Sequence, residues 1–159
     1  MDDTADGCPL DLAALLPRLT QLGALANRSH MMERIMEQAG IALDRPAMTV
    51  LITVETAGHP LRVGEIAKRM QVVGPHVTRV LHDLERRDLA RRVPDPDDRR
   101  AQLIELTPTG SATARRYLHT VLGWITEAMA DWPAPDRQTF SRLLTRFLDD
   151  LAARLSAIE

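Results

Sequence analysis

The stretch from Pro75 to Asp88 carries the residue types best suited to chemistry with a nucleic acid. On a period of 3.6 residues Val77, Val80, Leu81 and Leu84 share one side of a helix, which leaves His76, Thr78, Arg79, His82, Asp83 and Arg86 facing away. Arginine can donate two hydrogen bonds to a guanine edge, and threonine can bond a base or pack on a thymine methyl. His76, Thr78, Arg79 and His82 are therefore candidate readers of a major groove. Arg62, Lys68, Arg69, Arg86, Arg91 and Arg92 are candidates for phosphate contacts, which fix position without reading sequence. Arg91 and Arg92 are neighbours on an expected strand and point to opposite faces, so at most one of them meets a backbone.

The charge distribution singles out the same region. The chain of 159 residues has a formal charge of -2, with 4 basic against 8 acidic residues over 1–59 and 6 against 6 over 106–159. Residues 62–92 hold 8 basic and 4 acidic groups, and phosphate binding depends on such a local stripe more than on the total. Charge alone leaves a solvated arginine-rich helix face equally open. All five aromatic residues, Tyr117, Trp124, Trp132, Phe140 and Phe147, lie outside the basic block. A single-strand surface needs aromatic platforms between its cations, so duplex binding fits better.

The elements that must position these side chains follow from periodicity and punctuation. Residues 10–39 are expected as one long amphipathic helix, started or kinked near Pro17 and closed by Gly40. Asp44 caps a second helix with Pro46 in its first turn and Val50, Leu51 and Val54 inward, up to the Gly58-His59-Pro60 break. Short helices over Val63–Met70 and Pro75–Asp88, joined by the turn QVVG, make a helix-turn-helix. LARRV and AQLIELT then read as two strands around the polar tip PDPDDRR, a hairpin wing in which prolines belong to the turn and not to the ladder. Thr107 caps the next helix with Pro108 at its first position and Leu118, Val121, Leu122, Ile125, Met129 and Trp132 as its stripe. A last helix from about Asp136 carries Phe140, Leu143, Leu144, Phe147, Leu148, Leu151 and Leu155 in the most regular apolar pattern of the chain. The expected fold is mainly α with a small β-hairpin wing: a flexible terminus over 1–9, a dimerisation helix over 10–42, a winged helix-turn-helix lobe over 43–107 and dimerisation helices over 108–159.

Composition bounds the remaining possibilities. With 26% charged and 45% hydrophobic residues the chain reads as one globular domain, large enough for a core without staples. The single cysteine, Cys8, removes a disulfide framework and fits a reducing, cytoplasmic setting. No run of 18 apolar residues occurs, and the acidic opening MDDTADG is unlike a secretory leader, so neither membrane insertion nor export is expected. His30, His59, His76, His82 and His119 form no metal motif, and HExxH, CxxC, P-loop and GxSxG patterns are absent, so no enzyme, metal or cofactor is expected.

The runs RPAMTVL, GEIAKRM and VTRVLHDLERRDLARRVPDPDDRRAQLIELTPTG, in this order and spacing, resemble the MarR (multiple antibiotic resistance regulator) family of winged-helix transcription factors, and the likeness extends from about Leu10 to Leu155. The resemblance implies a homodimer built from the first and last two helices, two DNA-binding lobes, and a regulator, most often a repressor, that reads a pseudo-palindromic operator. It puts Thr78 and Arg79 foremost in the recognition helix. It also implies that the wing tip, Arg99 and Arg100, presents arginine to the minor groove, with Asp98 as the carboxylate that orients Arg100. Val73, Gly74, Pro75 and His76 depart from the hydroxyl-rich helix start of many relatives; Gly74 can cap and Pro75 can open the helix, but base preference need not follow the family.

Such regulators commonly answer to a small aromatic or anionic effector, and His30, Met31, Met32, Arg34, Met48 and Trp124 lie on the relevant helices without forming a diagnostic set. Cys8 has no basic residue before Arg18 and no nearby tyrosine, so an ordinary thiol is favoured over a redox switch. The alternative to a DNA-binding regulator is a protein-interaction module that keeps the winged helix and has lost specific DNA binding.

Overall fold

The computed structural model describes residues 12–26, 30–98 and 101–157. The chain divides into two units, one reaching Leu118 and the other starting at His119. Among the described residues the elements are α1 (Leu12–Ala26), α2 (His30–Gln38), α3 (Arg45–Ala57), β1 (Leu61–Arg62), α4 (Val63–Met70), α5 (Gly74–Arg86), β2 (Ala90–Pro94), β3 (Gln102–Leu106), α6 (Pro108–Ala128) and α7 (Ala134–Ser156).

The first unit holds the core. Ile35, Met48, Leu51, Leu61, Ile66, Leu81, Leu84 and Ile104 are almost wholly buried there. Each such side chain contributes about 2 kcal/mol relative to exposure. Local chemistry sets the boundaries of α3: Asp44 Oδ1 accepts the Ala47 N–H at 2.8 Å, and Gly58 ends the helix at φ 71°, a left-handed conformation that glycine adopts without penalty. Gly40 takes the same role after α2, where the Ile41 N–H reaches the Met36 carbonyl at 2.8 Å.

Several expectations are corrected. Of the helix expected over 10–39, α1 and α2 make up the described parts, residues 27–29 lying outside the described residues, and Pro17 lies within α1 instead of starting it. The hairpin is part of a three-stranded antiparallel sheet of order β1-β3-β2, in which the two-residue β1 pairs Leu61 with Ile104 and Arg62 with Leu103. So short a strand shows no alternation to read. Pro94 belongs to β2 and faces Gln102; it is tolerated because β2 is an edge strand and Pro94 its last residue.

The start of α6 packs more tightly than its sequence announces. Thr107 Oγ1 accepts the Gly110 N–H at 3.1 Å and donates to the Asp88 carbonyl at 2.7 Å, which ties the expected cap to the end of α5. The buried residues of α6 are Gly110, Thr113, Ala114 and Tyr117, whereas Leu122, Ile125 and Trp132 from the expected stripe are exposed. Burial raises the Tyr117 hydroxyl pKa, and the Arg45 charge opposes that shift. In the second unit α7 has no buried residue, and its apolar stripe from Phe140 to Leu155 stands open, with Trp132 edge-on to Phe140 at 5.4 Å. No helix among the described residues is long and apolar enough to cross a membrane.

Candidate nucleic-acid interface

The helix-turn-helix is held by α4, whose Ile66 and Ala67 are buried, and by α5, whose buried residues are Val77, Leu81 and Leu84. Val80, expected inward, is half-buried. Glu65 reaches back from the first turn of α4 to accept the Arg62 N–H at 2.7 Å. Gln71 turns the chain in the left-handed region at φ 55°, and the Val72 N–H returns to the Ala67 carbonyl at 3.0 Å. The cap of α5 is Val73, one residue earlier than expected, with Gly74 and Pro75 as the first two helical positions. Valine has no side-chain acceptor, so only backbone geometry closes this helix start.

The outer face of α5 presents the expected set unevenly. Arg79 is exposed and makes no ion pair or side-chain hydrogen bond to a described residue. His82 is exposed, its Nδ1 3.5 Å from Glu85. Thr78 is half-buried and donates to the Gly74 carbonyl at 3.2 Å. His76 is half-buried beside a cleft of about 260 Å³ that it lines with Arg45, Pro46, Thr49, Met70 and Val72.

The cations proposed for phosphate divide into two groups. Lys68 and Arg69, on the last turn of α4, are exposed and unpaired among the described residues, where their charge also suits the carbonyl end of that helix. The others are engaged. Arg86 bonds Asp83 at 2.6 Å, Arg92 bonds Glu85 at 2.8 Å, and Arg91 pairs with Glu105 directly across the β2–β3 ladder. Arg62 forks onto Asp95, with Nε at 2.9 Å and Nη2 at 2.6 Å from Oδ2.

Asp95 was missed by sequence reasoning. It is 5% exposed, and its other oxygen accepts the Asp97 N–H at 2.9 Å in an aspartate turn. That backbone bond, followed by the Arg62 fork, holds the carboxyl below its ordinary pKa, and Asp95 in turn raises that of Arg62. The available signal was an aspartate between two prolines at the strand end. Asp98 is exposed, and its carbonyl accepts the Ala101 N–H at 2.8 Å. Arg99, Arg100 and Cys8 lie outside the described residues, as does the side chain of His30. Among the effector-lining candidates Met48 is wholly buried, a core residue; Met31 and Arg34 are exposed, and Met32 and Trp124 are half-buried.

Two short helices, a left-handed turn and a sheet-backed wing thus present an arginine outward from a sealed inner face. The MarR family pattern matches residues 43–101, from just before the cap of α3 to the residue before β3. The HTH-type transcriptional regulator PrsX of Escherichia coli is 32% identical over 117 residues, covering 68% of this chain and 70% of that protein. The chain belongs to the MarR family. A second relative, the HTH-type transcriptional repressor YetL of Bacillus subtilis, is 28% identical over 139 residues, 86% of this chain and 81% of that protein. A MarR family protein from Bacillus stearothermophilus superposes with a TM-score of 0.71 at 19% identity, over 88% of this chain and 95% of the other. At that identity the superposition speaks for the MarR fold alone.

Proposed function

We propose that the chain is a homodimeric, sequence-specific DNA-binding transcriptional repressor whose paired α5 helices read the halves of a pseudo-palindromic operator one duplex turn apart. The observation that carries this reading is Arg79, exposed and unpaired among the described residues on the outer side of a helix sealed inward by Val77, Leu81 and Leu84. Arg79 and Thr78 contact bases, flanked by His76 and His82; Arg99 and Arg100 enter the minor groove from the wing, with Asp98 orienting Arg100. Lys68 and Arg69 hold phosphate, and Arg62, Arg86 and Arg91 join them as far as their carboxylate partners allow.

The lobe is assigned to residues 43–107, with 10–42 and 108–159 forming the dimer. The apolar residues that α1 and α7 leave exposed, Leu16, Leu19 and Leu22 on one and Phe147, Leu148 and Leu155 on the other, support a dimer through these helices. A small aromatic or anionic effector resets the lobes, and the protein works in the cytoplasm without catalysis or cofactor.

Arg79→Ala with Arg100→Ala tests the reading. Affinity for a duplex from a neighbouring promoter should fall at least about tenfold while the dimer stays folded, since removal of even one good bidentate base contact has that effect. Salt-steep binding with no preference among duplexes would refute it.

A further inference from the structure

We infer that Val73 is a base-specificity residue, packing its methyl groups on a thymine C5-methyl at the front of the recognition helix. The inference rests on the DNA-binding reading of α5 and deepens it. At 71% exposure Val73 is the most exposed of the large hydrophobic residues described, in a lobe where Val77, Leu81 and Leu84 show how readily this segment buries its aliphatic side chains. It occupies the cap position of α5, where valine is among the poorest choices and serine, threonine, asparagine and aspartate are strongly preferred. A residue that weakens its own helix and leaves its methyls in water departs from two local rules at once, and such departures collect at functional positions.

The geometry suits a contact surface. The turn before Val73 is fixed by Gln71 at φ 55° and by the Val72 N–H on the Ala67 carbonyl, and the His76 N–H closes on the Val73 carbonyl at 3.1 Å. A β-branched side chain on so constrained a backbone has little rotamer freedom left to lose. Recognition helices meet base edges with their N-terminal residues, and the one apolar feature of a major groove is the thymine methyl. Lys68 and Arg69 in the last turn of α4 and Arg79 on α5 flank Val73 along the chain, exposed and unpaired among the described residues, which suits a polyanion carrying such methyls better than an apolar protein partner.

The test uses the full chain and a duplex selected from a randomised pool. Each thymine is replaced in turn by deoxyuridine, which lacks only the C5-methyl, and binding is read by fluorescence anisotropy. One symmetry-related thymine per half-site should lose roughly fourfold in affinity, the change that burial of a single methyl supports. Val73→Ser should abolish that sensitivity while leaving other thymines unchanged. Because serine restores a capping hydroxyl for the His76 N–H, the same variant should unfold at a higher temperature, so weaker binding is not a folding defect. Specific binding indifferent to every deoxyuridine, or a sensitivity that survives in Val73→Ser, overturns the inference and leaves the DNA-binding reading standing. Failure of the pool to enrich any duplex overturns both.

Discussion

Gly110 shows how a single missing carbon can fix the relation between two elements. A Cβ at this position would sit 1.9 Å from the Leu89 carbonyl oxygen, a backbone atom that cannot swing aside. Gly110→Ala must therefore separate the start of α6 from the end of α5, and overpacking of this kind costs about 1–3 kcal/mol or more. Urea denaturation should show the corresponding drop in midpoint, while Gly123→Ala, where a Cβ meets nothing within 4 Å, should not destabilise. Asp95 gives the second residue-scale expectation. Its folded pKa is lowered, so its contribution to stability is present above the unfolded value near pH 4 and is lost as pH falls through the folded one. Asp95→Asn should be less stable than the parent at pH 7, and unfolding midpoints between pH 7 and pH 3 should fall less steeply. Neither residue could be weighed from the sequence. A glycine in a helix pattern and an aspartate in a turn are ordinary until the opposing backbone and guanidinium are in place.

At the scale of elements, the pairing of the basic residues decides how the lobe meets DNA. Counted from the sequence, residues 62–92 carry eight cations. In the fold Arg62, Arg86, Arg87, Arg91 and Arg92 each hold a carboxylate, and of these eight cations Lys68, Arg69 and Arg79 remain unpaired among the described residues. Taken over two lobes, the phosphate candidates Lys68 and Arg69 give a slope of log affinity against log salt of about -4, or about -7 if Arg99 and Arg100 also neutralise phosphate. A measured slope steeper than about -12 would mean that the internal pairs break open on binding. Arg79→Ala should lower specific affinity with little change in the slope. The helix-turn-helix and wing were legible because caps, prolines and a change of period mark their limits. The Arg62–Asp95 pair was not, because its residues are separated by 33 positions and meet only through the sheet.

At the scale of the whole molecule, α7 is the element least explained by its own chain. Phe140, Leu143, Leu144, Phe147, Leu148, Leu151 and Leu155 are between 38% and 58% exposed, although their spacing is the most regular in the sequence. The sequence shows that such a stripe needs a partner surface and leaves its identity open. Phe147→Asp should yield monomers by light scattering with little change in the unfolding of the lobe, since Phe147 is 58% exposed in the single chain. Operator affinity should fall by about 10²–10⁴, the advantage that two linked sites have over one. The carboxylates clasped to Arg91 and Arg92 have a last consequence. On the proposed DNA-binding role, Glu105 and Glu85 would act as a brake on indiscriminate adhesion, because releasing either guanidinium would strengthen the grip on every duplex alike. On that role, selectivity in this lobe would be guarded by its acids as much as supplied by its bases.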